Sequence, residues 1–150
     1  MNYAWGQFPT LQKIRVHYSD GRPTMRPPPE DCVQKFNPDG SYEYFQEAKP
    51  GDPYYQRVLR ECGEYLAQQV QSLQPSLCVL DDIPEGYSVY GHRVKGVGKD
   101  ERTDRYIFGH PTGGRYRSPN EFKVHVLWLA SNEEHDYDDC PCKCCKAAMK

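Results

Sequence analysis

Three cysteines within six residues, Cys140, Cys142 and Cys145, supply thiolate donors on what reads as a tight turn, with Cys144 among them. Tetrahedral zinc takes four nitrogen or sulfur ligands, and a bent backbone can aim alternate positions at one centre. The fourth ligand has to come from elsewhere in the chain. His125 is the choice, because it shares a helix face with Phe122, Val126 and Leu129 that the cysteine tail must cross; His135, Cys144 and the distant Cys32, Cys62 and Cys78 are the alternatives. A histidine on such a face is also commonly a hydrogen-bonded core residue. With protein donors at all four positions the ion is structural, pinning the tail to the helix and leaving no open position for hydrolysis.

A second group of residues suits a polyanion. Between Gly91 and Ser118 stand seven bases (Arg93, Lys95, Lys99, Arg102, Arg105, Arg115 and Arg117) against three acids (Asp100, Glu101 and Asp104), a local excess of four positive charges. Arginine forks on a twisted hairpin match phosphate contacts and the O6/N7 edge of guanine. The bland alternative is a solvated face of ordinary surface charge, since exposed ion pairs contribute little.

The elements that must position these groups are read from turn chemistry and periodicity. Residues 14–18 and 42–45 are short apolar-aromatic pieces set off by Ser19-Asp20-Gly21 and Asn37-Pro38-Asp39-Gly40, and they read as hairpin strands. Tyr55, Val58, Leu59, Cys62, Leu66 and Leu73 recur three or four apart, which predicts a helix over residues 52–73 with Asp52 as its N-cap and Pro53 at its first position. Residues 74–84 read as a connection. Residues 87–92, 104–109 and 115–117 read as three antiparallel strands, the first two joined by a charged, glycine-containing loop. Ser118, Pro119 and Glu121 form a capping box that opens a helix running to about Ala130.

The expected fold is therefore α+β: an amino-terminal β-hairpin and helix module over residues 1–80, then a three-stranded antiparallel sheet and helix closed by a zinc site over residues 81–150. At 150 residues with 37% hydrophobic content and a net charge of −2, the chain suits one or two small units, and global charge announces no nucleic-acid partner. No apolar run is long enough for a membrane span. Seven cysteines, four of them crowded at the end, suit a reducing compartment and a metal better than a disulfide framework. Cys32, Cys62 and Cys78 read as small buried apolar residues. No nucleophile–base pair, phosphate loop or paired carboxylate stands out, so no enzyme and no small-molecule substrate are expected.

The run Pro84-Glu85-Gly86-Tyr87, the charged loop, Asp104-Arg105-Tyr106, Pro111-Thr112-Gly113-Gly114-Arg115-Tyr116-Arg117-Ser118 and Glu121-Phe122 resembles the methyl-CpG-binding domain. More closely, Gly109-His110-Pro111, residues 116–122, His125, Trp128-Leu129 and Cys140-x-Cys142-x-x-Cys145 are similar to the fungal transcription-silencing proteins of the cryptic loci regulator two family. The closer resemblance covers about residues 83–145. It implies a nuclear, heterochromatin-associated protein working within a nucleosome-remodelling and histone-deacetylase assembly. It also implies binding to double-stranded DNA or a nucleosome. In that reading Arg117 and Arg93 lie on base edges or phosphates, Asp104 orients an arginine, Tyr106 lies near the cytosine methyl group, and Lys95, Lys99 and Arg115 neutralise backbone charge. The rival reading is a protein-interaction scaffold that docks another subunit of the silencing complex. The two differ in salt response, steep for phosphate contacts and shallow for an apolar surface.

Overall fold

The computed structural model describes residues 11–70, 73–131 and 134–148. In chain order the regular elements are β1 (Gln12–Ile14), β2 (Tyr42–Glu47), α1 (Pro53–Ala67), β3 (Cys78–Leu80), β4 (Ser88–Lys95), β5 (Arg102–Phe108), α2 (Pro119–Ala130) and α3 (Lys143–Ala148), with short 3-10 turns between several of them. The main sheet is three-stranded and antiparallel in the order β2-β4-β5, and β1 and β3 form a separate parallel pair. No described helix is long and apolar enough to cross a membrane.

The three-stranded sheet was expected, but its third strand comes from elsewhere. Residues 115–117 make only a bridge, in which Tyr116 exchanges both backbone hydrogen bonds with Ile107 (2.8 and 3.0 Å) before the chain turns into α2. The third strand is β2, which lies along β4 from Tyr42↔Lys95 to Glu47↔Tyr90. The amino-terminal hairpin does not form. Residues 12–14 pair instead with β3, inside the stretch expected to be a mere connection, because long-range pairing satisfies backbone groups that local turn signals cannot assign. Elements from both sides of residue 80 thus share one sheet and one buried cluster, including Val58, Cys62, Leu80, Val89, Ile107 and Phe122.

Helix α1 starts at Pro53 as expected, although the Asp52 carboxylate accepts from Lys49 N–H (2.8 Å) and leaves the helix N–H groups uncapped. The helix ends at Ala67 short of Leu73, where the glutamine-rich stretch after it offers little apolar surface to bury. Gly63 faces β3 at very short range: a Cβ there would lie 2.5 Å from Val79 Cα. Ser118 caps α2 by accepting from Glu121 N–H (3.2 Å), while the Glu121 carboxylate accepts from Arg117 N–H (2.7 Å), one residue earlier than in the usual reciprocal box. The α2 face that carries Phe122, His125, Val126 and Leu129 is buried, each large apolar side chain contributing about 1.5–3 kcal/mol of transfer free energy.

Candidate metal centre

Five donors from four places in the chain meet behind α2. His110 follows β5 on the turn closed by Gly113 N–H to His110 C=O (2.9 Å), and His125 projects from the middle of α2. Cys140 leaves the turn Tyr137–Asp139, Cys142 precedes α3, and Cys145 lies in its first turn. His110, His125, Cys142 and Cys145 place ligand atoms within 4.8 Å of one another, and all four side chains are buried. Cys140 Sγ is as close, 3.3 Å from His125 Nδ1; Cys142 and Cys145 Sγ lie 3.4 and 3.6 Å from the same nitrogen. The bond lengths of a tetrahedral zinc site place N···S edges at roughly 3.6 Å, so the cluster has the dimensions of such a site.

Hydrogen bonds distinguish the two histidines. His125 Nε2 faces the Asp20 carboxylate at 3.0 and 3.2 Å, so the ring proton sits there and Nδ1 is left bare toward the sulfurs. His110 is wired the other way. Its Nδ1 faces the Thr112 hydroxyl (2.8 Å) and Thr112 N–H (3.2 Å), and its Nε2 lies 3.3 Å from Cys145 Sγ. Tyr116 OH lies 3.1 Å from Cys142 Sγ, and Cys142 Sγ also accepts from Cys145 N–H at 3.3 Å.

These contacts favour sulfur as thiolate at one position. Hydrogen bonding from Cys140, then from His110, His125 and Tyr116, holds the Cys142 thiol far below its ordinary value despite burial. Cys140 is pushed up by its hydrogen bond to Cys142 and by burial, and burial pushes Cys145 up to about 12. Burial alone would raise Asp20, but hydrogen bonds from His125 and Tyr87 bring it below the usual carboxylate range.

Of the expected ligands, His125, Cys140, Cys142 and Cys145 all reach the cluster. His110 was not foreseen as a donor, and the signal available was a histidine beside the Pro111 turn with no assigned role. Asp20, in a different part of the chain, gave no signal. His135 lies elsewhere, stacked on Tyr18 (centroids 3.9 Å) and bonded to Leu129 C=O (3.1 Å). Cys144 is buried beside Gly114, Cys62 and Cys78 are in the core, and Cys32 is half-buried rather than buried.

Of the expected DNA-contacting residues, Asp104, Tyr106 and Arg117 line one cleft, and Arg93, Lys95, Lys99 and Arg115 do not. Strand alternation puts Arg93 and Lys95 on the face that carries Val89 and Ile107, and Asp104 and Tyr106 on the opposite one. Arg93 is held by Gln46 and Glu101, both at 2.7 Å. Asp104 meets Arg102 (3.4 Å) and so does not orient Arg93. Arg115 stacks over the Tyr106 ring at 4.1 Å, within an aromatic face that includes Phe45, His92 and Phe108. Lys95 is half-buried, with its Nζ 3.5 Å from Gly96 C=O, while Lys99 in the hairpin loop and Arg117 at the start of α2 are exposed. The hairpin's β4 edge is covered by β2 along its length. The cleft shared by Arg117, Asp104 and Tyr106 has a volume of ≈ 470 Å³ and is also lined by Tyr54, Arg57 and Arg105.

The fold is α+β, its described cysteines form no disulfide, and its buried cysteine–histidine cluster is one that could hold a metal ion. Residues 78–145 match the family model of the transcription-silencing protein, cryptic loci regulator Clr2. Among curated proteins, cryptic loci regulator 2 of Schizosaccharomyces pombe is 34% identical over 73 residues, covering 47% of this chain and 13% of the relative. A solved structure of Clr2 bound to the Clr1 C-terminus superposes with a TM-score of 0.68 over 92% of this chain and 31% of that one, at 22% identity, which shows a shared fold.

Proposed function

We propose that this chain is a non-enzymatic domain of a nuclear transcription-silencing subunit, built around a structural zinc ion and used to dock another subunit of the complex. The family match supports silencing, and the donor set supports the ion. His125 Nδ1 with Cys140, Cys142 and Cys145 would hold it, with His110 in the tautomer that accepts from Thr112 at Nδ1 and turns its Nε2–H to Cys145. The ion would tie the tail of the chain to α2 and to the turn after β5. Nothing would remain open for a substrate. In this reading the hairpin of β4 and β5 with α2 would correspond to the methyl-CpG-binding-like elements, with β2 added at the edge.

The observation that carries the docking role is an apolar groove of ≈ 620 Å³ between α1 and α2, lined by Ile14, Tyr65, Val70, Leu127, Trp128 and Pro141 among others. Its size and character fit an apolar peptide segment, and Clr2 has been solved bound to the Clr1 C-terminus. Binding of a peptide from the carboxy-terminal region of the corresponding subunit, measured by calorimetry, is expected to show a negative heat-capacity change and weak salt dependence. Leu127→Glu is expected to abolish it while circular dichroism stays unchanged. Retained binding in a folded Leu127→Glu protein removes the groove from the interaction.

A second reading, contact with DNA or a nucleosome, is favoured by the basic cleft. Arg105 and Arg117 have no acidic partner among the described residues, Arg105 lies 5.1 Å over the Tyr54 ring, and the buried Tyr54 hydroxyl lacks a hydrogen-bond partner. Duplex binding through this cleft should fall steeply with salt, and Arg105→Ala/Arg117→Ala should flatten the slope by about two phosphate contacts. A double variant with wild-type affinity and slope excludes the cleft.

A further inference from the structure

Among the described residues, Asp20 is the carboxylate that reaches the cysteine–histidine cluster, and it does so from far outside the family-matched segment. It is buried against a fully buried His125, its side chain 3% exposed. Besides His125 Nε2, Tyr87 OH (2.7 Å) and Tyr137 OH (3.0 Å) donate to it, so three groups from separate elements fix one carboxylate. The stretch around it is fastened on both sides: Ser19 Oγ donates to Glu85 C=O (2.6 Å), and Arg22 N–H donates to Gly109 C=O (2.8 Å), next to His110. Between these anchors Gly21 crosses Gly86 backbone to backbone. A Cβ on Gly21 would stand 2.2 Å from Glu85 O, and one on Gly86 2.3 Å from the Gly21 carbonyl, so the crossing admits only glycines.

We propose that Asp20 is the positioning residue of the metal centre, and that ion loading and the seating of residues 19–22 are one coupled event. The inference rests on the metal reading of the cluster given above. A carboxylate that accepts the Nε2 proton fixes the ring orientation, leaves Nδ1 free for the ion and strengthens it as a donor. Coupling of this kind is reciprocal: whatever the seated segment adds to ion affinity, the ion adds to the seating. The amino-terminal part of the chain is in this way made dependent on a metal whose ligands all lie more than a hundred residues later.

The test uses the full chain with zinc alone as the probe. Zinc affinity is measured by chelator competition for wild type, Asp20→Asn and Gly21→Ala, and hydrogen exchange at the Arg22 amide is followed with and without zinc. Asp20→Asn is expected to bind one zinc about 10–100-fold more weakly, with an altered His125 ring 15N signature. Gly21→Ala, which leaves the carboxylate in place chemically but displaces it, should weaken zinc in the same direction. In wild type, removing zinc should speed exchange at Arg22. Affinity of folded Asp20→Asn within about twofold of wild type overturns the positioning role, and Arg22 exchange indifferent to zinc overturns the coupling, a measurement that needs no variant to fold. A wild-type chain that takes up no zinc overturns the metal reading itself.

Discussion

Replacing Cys140 with Ser and, separately, His110 with Gln decides which four of the five converging donors bind the ion. Distances do not choose, since His110 Nε2 lies 3.3 Å from Cys145 Sγ and Cys140 Sγ lies 3.3 Å from His125 Nδ1. The tautomer of His110 chooses, because with its proton on Nε2 the ring cannot coordinate and can only donate to a ligand sulfur. Folding-coupled zinc binding in small domains is worth about 10–16 kcal/mol, so one ligand of four accounts for on the order of 3 kcal/mol, roughly 100-fold in affinity. Losing a donor to a ligand sulfur costs about 10–100-fold, and glutamine at position 110 retains an N–H to serve. Cys140→Ser is therefore expected to weaken zinc by about 100-fold or more, and His110→Gln by about tenfold or less. Cobalt substitution supplies the spectroscopic check: Cys140→Ser should lose one thiolate's share of the sulfur-to-metal charge-transfer band, and His110→Gln should keep the wild-type spectrum. A Cys140→Ser protein with wild-type affinity and spectrum, beside a His110→Gln protein that loses a coordinated nitrogen, refutes the tautomer argument.

Chelation of the wild-type protein should lower its stability in urea, by about 4 kcal/mol if zinc had been present at a thousandfold over its dissociation constant; an unchanged midpoint would show that the ion is not structural. Gly63→Ala gains about 1 kcal/mol of helix propensity but drives a Cβ to 2.5 Å from Val79 Cα, so a net loss of about 1–2 kcal/mol is expected from overpacking. Gly51, with open space around it, is the control position, and a Gly63→Ala protein more stable than wild type would contradict the close α1–β3 packing. Ser118→Ala removes the hydrogen bond to Glu121 N–H and should cost about 1 kcal/mol in thermal unfolding, with α2 fraying first in hydrogen exchange.

What the sequence revealed and what it concealed divide by the range of the interaction. The start of α2 was legible because Ser118, Pro119 and Glu121 act within one turn, and the α1 start because Pro53 fixes its own φ. The clustering of the cysteines was legible because thiols spaced along six residues lie close in any fold, and no described cysteine forms a disulfide. The strand partners were not. Residues 42–47 alternate well enough to be read as a strand, yet nothing local says that they pair with residues 90–95, and residues 78–80 are too short to show any alternation. Asp20 was hidden for the same reason, since its meaning lies in His125, 105 positions away. The division of the arginine patch was hidden for a different one. Charge excess counted along a hairpin ignores the period of two, so residues summed as one surface fall on opposite faces: Arg93 turns to Gln46 and Glu101, and Tyr106 turns to Arg115. A patch read from sequence therefore has to be split by strand parity before it is credited to a polyanion. Split that way, Arg105 and Arg117, whose side chains have no acidic partner among the described residues, gather around Tyr54, where β5 meets the first turns of both long helices, while Arg115, equally without one, stacks on Tyr106.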